Sequence, residues 1–256
     1  MKSAALDRLE TLLRARQLDG TLTAAALKRL AAARTVSTGV PALDRLLDGG
    51  WRRGDLSEIV GGRSSGRTSV LVATLAAATA RGEIVGLVDA CDRFDPIGAA
   101  AAGVDLARVL WVRGPQILVE AARPSVVQSA VERALRALDL FVRAGGFAVA
   151  ALDLADVPPR FVKALPFTTW MRLGHANEGR DTVCLLVGDA PMGRSPGGVS
   201  VRLTATSHWT GASPQSRRLE GLDVCPLVLS PRSNGPRHDA SVPGLTDLGP
   251  RTIGLR

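Results

Sequence analysis

The sequence is poor in cysteine: it has three, at Cys91, Cys184 and Cys225, and none forms a Cys-x-x-Cys pair or lies beside a histidine cluster. This pattern argues against a disulfide framework and a zinc site, and is typical of a reducing compartment. The first residues are charged throughout, without the apolar stretch of a signal peptide, and no run of about 18 uncharged apolar residues occurs. We therefore expect a soluble cytoplasmic protein without a membrane partner.

Lysine is also scarce: of 32 basic residues only Lys2, Lys28 and Lys163 are lysines, so the other 29 are arginines. With 24 acidic residues the formal net charge is +8. The arginine excess has two interpretations, a GC-biased genome or a basic surface for nucleic acid or an acidic partner. Hydrophobic residues make up 46% and charged residues 22% of the 256 residues, which excludes wholesale disorder.

Apolar segments of strand length alternate with helical patterns through the middle of the chain. Predicted strands cover residues 56–60, 84–89, 109–112, 147–152, 182–187 and 199–206. Predicted helices cover 68–80, 125–144 and about 160–175. The second helix is expected to begin with a capping box of Ser125 and Gln128 and to end at Gly145. Apolar strands that alternate with helices predict an α/β fold, with a mainly parallel sheet covered by helices on both faces.

The two ends of the chain differ from this core. Leucines at helical spacing over residues 4–33, interrupted at Asp19-Gly20, predict a two-helix arm that packs on its own core or on another chain. Residues from about Ser230 are rich in Pro, Gly, Ser and Arg, and we expect them to be poorly ordered. The chain is therefore divided into a helical arm at 1–36, a core at 37–229 and a flexible basic tail at 230–256. The tail is a second candidate for partner binding.

The strongest local motif follows a predicted strand and starts a predicted helix, and reads Gly61-Gly62-Arg63-Ser64-Ser65-Gly66-Arg67-Thr68. A phosphate-binding loop has this pattern, because glycines let backbone N–H groups surround phosphate oxygens and a hydroxyl binds Mg²⁺. The pattern requires Lys where this chain has Arg67, a bulkier and planar cation. The alternative is an ordinary Gly/Ser turn before a helix. The candidate nucleotide contacts here are Gly61, Gly66, Arg67, Thr68 and Ser69.

A second acidic motif ends the strand predicted at 147–152. The residue that follows it, Asp153, is placed to orient a nucleotide-bound Mg²⁺ through water, as the Walker-B acid does. The other interpretation is an aspartate that caps a helix after an ordinary strand. The residues alone do not separate these two interpretations.

Over about residues 37–117 the chain resembles the RecA recombinase core. The resemblance is carried by STGVPALDRLLDGGWRRGDLSEIVGGRSSGRTSVL and by VGLVDACDRFDPIGAAAAGVDLARVLWVRGPQ. The Gly-Arg of the loop and the small size are most similar to ImuA, a RecA-related accessory protein of the bacterial translesion mutasome. That family acts with an inactive Y-family-like polymerase homologue and an error-prone replicative-type polymerase. The resemblance therefore implies a RecA-like fold and a role in the SOS response, linking such a polymerase to damaged DNA or to a RecA filament.

Compared residue by residue, the resemblance also implies losses. The catalytic glutamate of RecA corresponds to Cys91, a poor base, and the adjacent Asp92 is a weak candidate to replace it. Asp95 matches the residue that contacts adenine, while Gly98 replaces a stacking aromatic ring. Gly188-Asp189 replaces the Asn-Gln pair that couples nucleotide to DNA. We therefore expect ATP and Mg²⁺ to be bound weakly or not at all, and ATPase activity to be weak or absent.

RecA proteins hold single-stranded DNA with two loops, which the resemblance places near residues 157–163 and 191–198. The alternative is a pair of ordinary surface loops with solvated charges, and the second loop is short for a recombinase. An N-terminal helix packs on the neighbouring subunit in RecA filaments, so the resemblance also implies self-association or polymerase docking through the arm. The candidate phosphate contacts are Arg160, Lys163, Arg194 and Arg202.

Three functions stay open from the sequence. The favoured one is a non-catalytic accessory protein of translesion synthesis. The second is an active DNA-dependent ATPase or recombinase of the RecA type that uses Asp92 as its base. The third is a RecA-like module that senses nucleotide or regulates cell division during the SOS response.

Overall fold

The computed structural model describes residues 34–116, 122–193, 198–211, 213 and 216–229. The chain divides into two compact units, Met1–Thr35 and Val36–Arg256, and the described elements belong almost entirely to the second. Residues 1–33 of the predicted arm and the whole predicted tail lie outside the described residues, so the arm helices and the tail stay predictions. The last two residues assigned to the arm, Thr35–Val36, form a short strand. None of the described helices is both long enough and apolar enough to span a bilayer.

Strands and helices alternate along the described part of the chain. The strands are β1 (Thr35–Val36), β2 (Trp51–Arg52), β3 (Leu56–Val60), β4 (Val85–Asp89), β5 (Val109–Arg113), β6 (Val149–Asp153), β7 (Val183–Gly188), β8 (Ser200–Thr210) and β9 (Arg218–Val228). The helices are α1 (Pro41–Leu46), α2 (Arg67–Ala80), α3 (Pro96–Ala101), α4 (Pro124–Ala144), α5 (Pro159–Lys163) and α6 (Phe167–Asn177). β1 and β2 are two-residue strands outside the main sheet.

The main sheet has seven strands in the order β5-β4-β6-β7-β3-β8-β9. The first six strands in this order all run parallel to one another. The seventh, β9, pairs with β8 in antiparallel orientation. The prediction of an α/β fold with a mainly parallel sheet is therefore confirmed. Parallel strands end at one edge, and β6, β7 and β3 are adjacent, so the segments that follow these three strands meet at that edge.

Helices cover both faces of the sheet with two separate apolar cores. One core contains Leu71 and Leu75 of α2, and the other contains Leu138 of α4. Leu185 and Leu186 of β7 belong to different cores, because successive residues of a strand point to opposite faces. A strand buried on both faces must be apolar along its whole length, which explains why the apolar runs located these strands correctly.

The start of α4 differs from the prediction. The helix begins at Pro124, because proline is favoured at the first helical position. Gln128 Nε2 donates to Glu132 Oε1 (3.1 Å) instead of capping the helix start, so the predicted capping box with Ser125 is wrong. Gly145 ends the helix as predicted, with a φ of 69°.

Two later segments were also predicted incorrectly. The single helix expected at about 160–175 is the pair α5 and α6, because Pro166 disfavours helical conformation at the residue before it. β8 continues to Thr210, and β9 was not predicted, since Gly221 and Pro226 interrupt its apolar pattern. Pro226 is tolerated because β9 ends the described sheet.

Candidate functional site

The glycine-rich loop joins the carboxyl end of β3 to the start of α2, as its motif predicts. Gly66, the residue before the helix, has a φ of 87°, and Ser64 has a φ of 60°. A Cβ on Gly66 would lie 2.7 Å from Cγ2 of Val224 in β9. Glycine is therefore required at position 66 for the backbone conformation and for the close approach of β9.

The hydroxyl groups of this loop divide into exposed and buried ones. Thr68 and Ser69, in the first turn of α2, are exposed to solvent. Ser65 is 5% exposed, and its Oγ is buried without a hydrogen-bond partner. An unpaired buried hydroxyl costs free energy unless a polar group reaches it, so this part of the loop still fits a phosphate oxygen.

Arg67, the cation of the motif, is directed into the protein and is 6% exposed. Its Nη1 donates to the carbonyl oxygen of Gly61 and to Oδ1 of Asp189, the residue after β7. Its Nη2 donates to the carbonyl oxygen of Ala155 (3.2 Å) and lies 3.6 Å from Oδ1 of Asp156. Both terminal nitrogens of the guanidinium are thus engaged by oxygens of three neighbouring segments. The sequence did not predict this arrangement.

Asp153 ends β6 and lies beside Asp89 at the end of β4, because the two strands pair in parallel register. Asp153 Oδ1 accepts a hydrogen bond from Ala155 N (2.8 Å), which closes a local turn. Burial raises the pKa of Asp153 to about 6, and the nearby charge of Asp89 adds to this increase. The structure thus places Asp153 at the predicted edge of the sheet, with one oxygen already bound to its own backbone.

The two candidates for a catalytic base lie just after β4. Cys91 is buried, and this burial, with the charge of Asp89 adding to it, raises the thiol pKa to about 11. Both carboxylate oxygens of Asp92 accept hydrogen bonds from Arg113 (2.9 Å each), and these bonds lower the pKa of Asp92. Arg113 ends β5, on the side of β4 away from the glycine-rich loop. Asp92 is therefore bound away from that loop.

Asp95, the expected adenine contact, caps α3, where its Oδ1 accepts a hydrogen bond from Ile97 N (3.0 Å). A Cβ on Gly98 would lie 2.5 Å from Asp95 Oδ2. The small residue at position 98 therefore leaves room for this cap. Asp95 is engaged by its own helix in the structure.

Glu58 was missed as a site residue. It lies in the middle of β3 and is 1% exposed, and burial raises the pKa of its carboxyl group. This carboxyl group accepts hydrogen bonds from Met192 N (3.0 Å), Gly193 N and Ser200 Oγ (2.6 Å). It therefore holds the segment after β7 and the first residue of β8. A charged residue inside the apolar run Leu56–Val60 is the sequence signal that indicates such a role.

The predicted phosphate contacts are separated in the structure. Arg160 and Lys163 are exposed on α5, and Arg160 Cζ lies 4.9 Å from the centre of the Phe161 ring. Lys163 also lines a shallow pocket with residues 188–192, the segment after β7. Arg202 is exposed on β8, in register with Val60. Arg194 lies outside the described residues.

The charges at this edge do not fit the ATP and Mg²⁺ that the resemblance implies. Thr68 and the Ser65 hydroxyl fit a nucleotide, but the cation of the loop is engaged by Asp189. In the described ranges no group of three or more His, Cys, Asp or Glu residues could hold a metal ion.

The chain is similar to known proteins over its first part. A model of the RecA N-terminal domain matches residues 13–155. Protein RecA of Sinorhizobium medicae (strain WSM419) is 38% identical over 128 residues, which are 49% of this chain and 32% of that protein. Protein RecA of Parasynechococcus marenigrum (strain WH8102) is 33% identical over 127 residues, which are 49% of this chain and 30% of that protein. The chain thus spans about a third of the length of the curated relatives it matches.

Proposed function

We propose, from the premise that the chain belongs to the RecA N-terminal domain family, that it is a non-catalytic accessory protein in the response to DNA damage. In this role, similar to that of ImuA, it links an error-prone polymerase or a Y-family-like polymerase homologue to damaged single-stranded DNA or to a RecA filament. It keeps the fold of the family, while its ATPase activity is weak or absent.

The observation that carries this proposal is the burial of Cys91, which is 4% exposed at the position of the catalytic glutamate of RecA. A base that activates water must accept a proton at neutral pH, and a thiol with a pKa of about 11 is protonated there. A protonated thiol has no lone pair basic enough to take the proton of an attacking water. The neighbouring carboxylate of Asp92 is ionised but bound by Arg113. The states of these two residues support weak or absent ATPase activity.

The first test of the proposal is ATP turnover by the full chain, with and without single-stranded DNA. A RecA recombinase serves as the positive control. We expect no turnover above background in either condition, because Cys91 is protonated and Asp92 is bound by Arg113. DNA-stimulated turnover comparable with that of the recombinase would contradict the proposal.

The second test concerns the polymerase. The full chain is immobilised and incubated with a purified Y-family-like polymerase homologue, or with an error-prone replicative-type polymerase. We expect at least one of them to be retained, with or without DNA. Retention of neither polymerase in any condition would contradict the accessory role.

Direct contact with DNA is proposed for Arg160 and Lys163, which are exposed on one short helix. The double variant R160A/K163A is expected to weaken binding to a labelled oligo(dT) and to reduce the salt dependence by about 1.4 in log–log slope, since about 0.7 is lost for each phosphate contact. Arg133 and Arg136, exposed on α4, give the matched control R133A/R136A with the same loss of charge. Equal weakening in both double variants would assign the effect to net charge alone.

A further inference from the structure

We propose that Asp189 serves as a built-in anionic ligand for Arg67, so that the edge of the sheet is held together by a protein carboxylate where a nucleotide phosphate would otherwise bind. This inference goes beyond the proposed function and does not depend on a role in translesion synthesis. It joins two departures from the recombinase pattern, at positions 67 and 189, into one structural unit.

The geometry of Arg67 carries the first step. Its guanidinium contacts the end of β3 through Gly61, the segment after β6 through Ala155 and Asp156, and the end of β7 through Asp189. The order β6-β7-β3 makes these three strands neighbours in the sheet. One side chain therefore connects three adjacent strand ends, which is the position from which a bound phosphate would connect them.

The balance of charge carries the second step. The Arg67 side chain is 7% exposed and lies against two carboxylates, Asp189 and Asp156. Asp156 is shared with a second cation, because Arg93 Nε lies 3.3 Å from its Oδ2, so the two arginines are matched by two carboxylates within the protein. A phosphate that approached the loop would have to displace Asp189, and it would then lie near the acidic groups Asp156 and Asp153. Because like charges in a partly buried site repel strongly, this exchange is unfavourable.

The segment after β7 carries the third step, because it is held at two points. Arg67 binds its first residue, Asp189, and Glu58 accepts hydrogen bonds from the backbone of Met192 and Gly193. Glu58 also accepts a hydrogen bond from Ser200 at the start of β8. The position of residues 189–193 is therefore set by protein groups on both sides. We infer that this segment keeps one conformation with or without nucleotide.

The coupling between the two charges is tested with R67M, D189N and the double variant, all in the full chain, by urea unfolding at pH 7. R67M leaves the Asp189 carboxylate without its cation, and D189N leaves Arg67 with only the more distant carboxylate of Asp156, whereas the double change removes both charges of the central pair. The product of the two single effects on the unfolding equilibrium constant should therefore exceed the effect of the double variant by about tenfold or more. If the effects of the two single variants simply multiply to give the effect of the double variant, the proposal is overturned.

Hydrogen exchange tests the consequence for the segment. In the wild type, exchange of peptides that cover 61–68 and 188–193 should not change when millimolar ATP and Mg²⁺ are added. In D189N the peptide at 188–193 should exchange faster, and the exposed Arg63 gives the control R63A, which should not differ from wild type. Protection of 188–193 by ATP in the wild type would overturn the inference.

The most direct test is whether a variant without Asp189 gains ATP binding. In R67K the new lysine still faces Asp189, so ATP should protect residues 61–68 no more than in the wild type. In R67K/D189N the cation no longer faces the carboxylate of Asp189, and ATP should protect the loop. Equal responses in the two variants would overturn the role given to Asp189. These readouts use binding and unfolding, so they are separate from the turnover assay that tests the proposed function.

Discussion

Two ion pairs lie at the carboxyl edge of the sheet, and they differ in which partner is buried. At the centre Arg67 binds Asp189, and the side chains are 7% and 36% exposed. At the margin Arg113 of β5 binds Asp92, and the side chains are 60% and 11% exposed. The central pair joins residues 122 positions apart, whereas the marginal pair joins residues 21 positions apart. Arg67 and Asp189 differ from the residues of the recombinase pattern, and Asp92 is the candidate to replace its catalytic glutamate.

The difference lies in the charge that each pair keeps from solvent. At the centre the cation of Arg67 is the buried partner, and Asp189 compensates it. At the margin the cation of Arg113 is solvated, and the carboxylate of Asp92 is the partner with little exposure, so loss of Arg113 leaves a largely buried negative charge without its cation.

The substitution R67M should have the largest effect on stability. It leaves Asp189 without its cation, leaves Asp156 with Arg93 alone, and removes the donors to the carbonyl oxygens of Gly61 and Ala155. We expect the free energy of unfolding to fall by about 3 kcal/mol or more. The measurement is urea unfolding of the full chain, with R63M in the same loop as the control. A loss of less than about 0.5 kcal/mol, the range of ordinary surface changes, would remove the distinction between centre and margin.

The strands at this edge could be predicted from the sequence, because burial on both faces requires continuous apolar runs. The glycine-rich loop and the position of Asp153 at the end of its strand could also be predicted from the sequence, because each depends on a few neighbouring residues. β9 was missed because Gly221 and Pro226 break its period. It is held instead by its pairing with β8, which local propensity does not encode.

The pairing of Arg67 with Asp189 could not be predicted from local pattern. The sequence indicated two separate losses, one in the loop and one after β7, because nothing between positions 67 and 189 specifies the strand order. Only the order β6-β7-β3 brings these positions together. Glu58 gave a weaker signal: a charged residue in a buried strand indicates a polar partner, but not that the partners are Met192, Gly193 and Ser200.

Asp153 gives the second prediction, on the pH dependence of the centre. Its folded pKa of about 6 lies above the ordinary value of 3.8, so the folded chain binds this proton more tightly than the unfolded chain. Its contribution to stability is therefore full below about pH 4 and is lost as the pH rises through about 6. D153N lacks this titration and keeps an oxygen for Ala155 N. Relative to D153N, the wild type should lose about 2 kcal/mol between pH 4 and pH 7. Parallel stability curves from urea unfolding would contradict the raised pKa.

Asp92 should show the smallest effect and the opposite sign. Hydrogen bonds from Arg113 lower its pKa, so its contribution is present at neutral pH and is lost as the pH falls through that lowered value. D92N leaves only the exposed cation of Arg113 without its charged partner, so it should unfold at nearly the wild-type urea concentration at pH 7. Its matched partner variant R113Q leaves the less exposed carboxylate of Asp92 without a cation, so it should unfold at a lower urea concentration.

The same two variants decide whether the margin takes part in chemistry. Asp92 is held toward β5, away from the glycine-rich loop, so D92N should leave ATP turnover with single-stranded DNA at the wild-type level. R113Q releases the carboxylate without removing it, so it separates a blocked base from an absent one. Turnover that appears in R113Q and is missing in R113Q/D92N would identify Asp92 as a base restrained by Arg113. The marginal pair, rather than the central one, would then control hydrolysis.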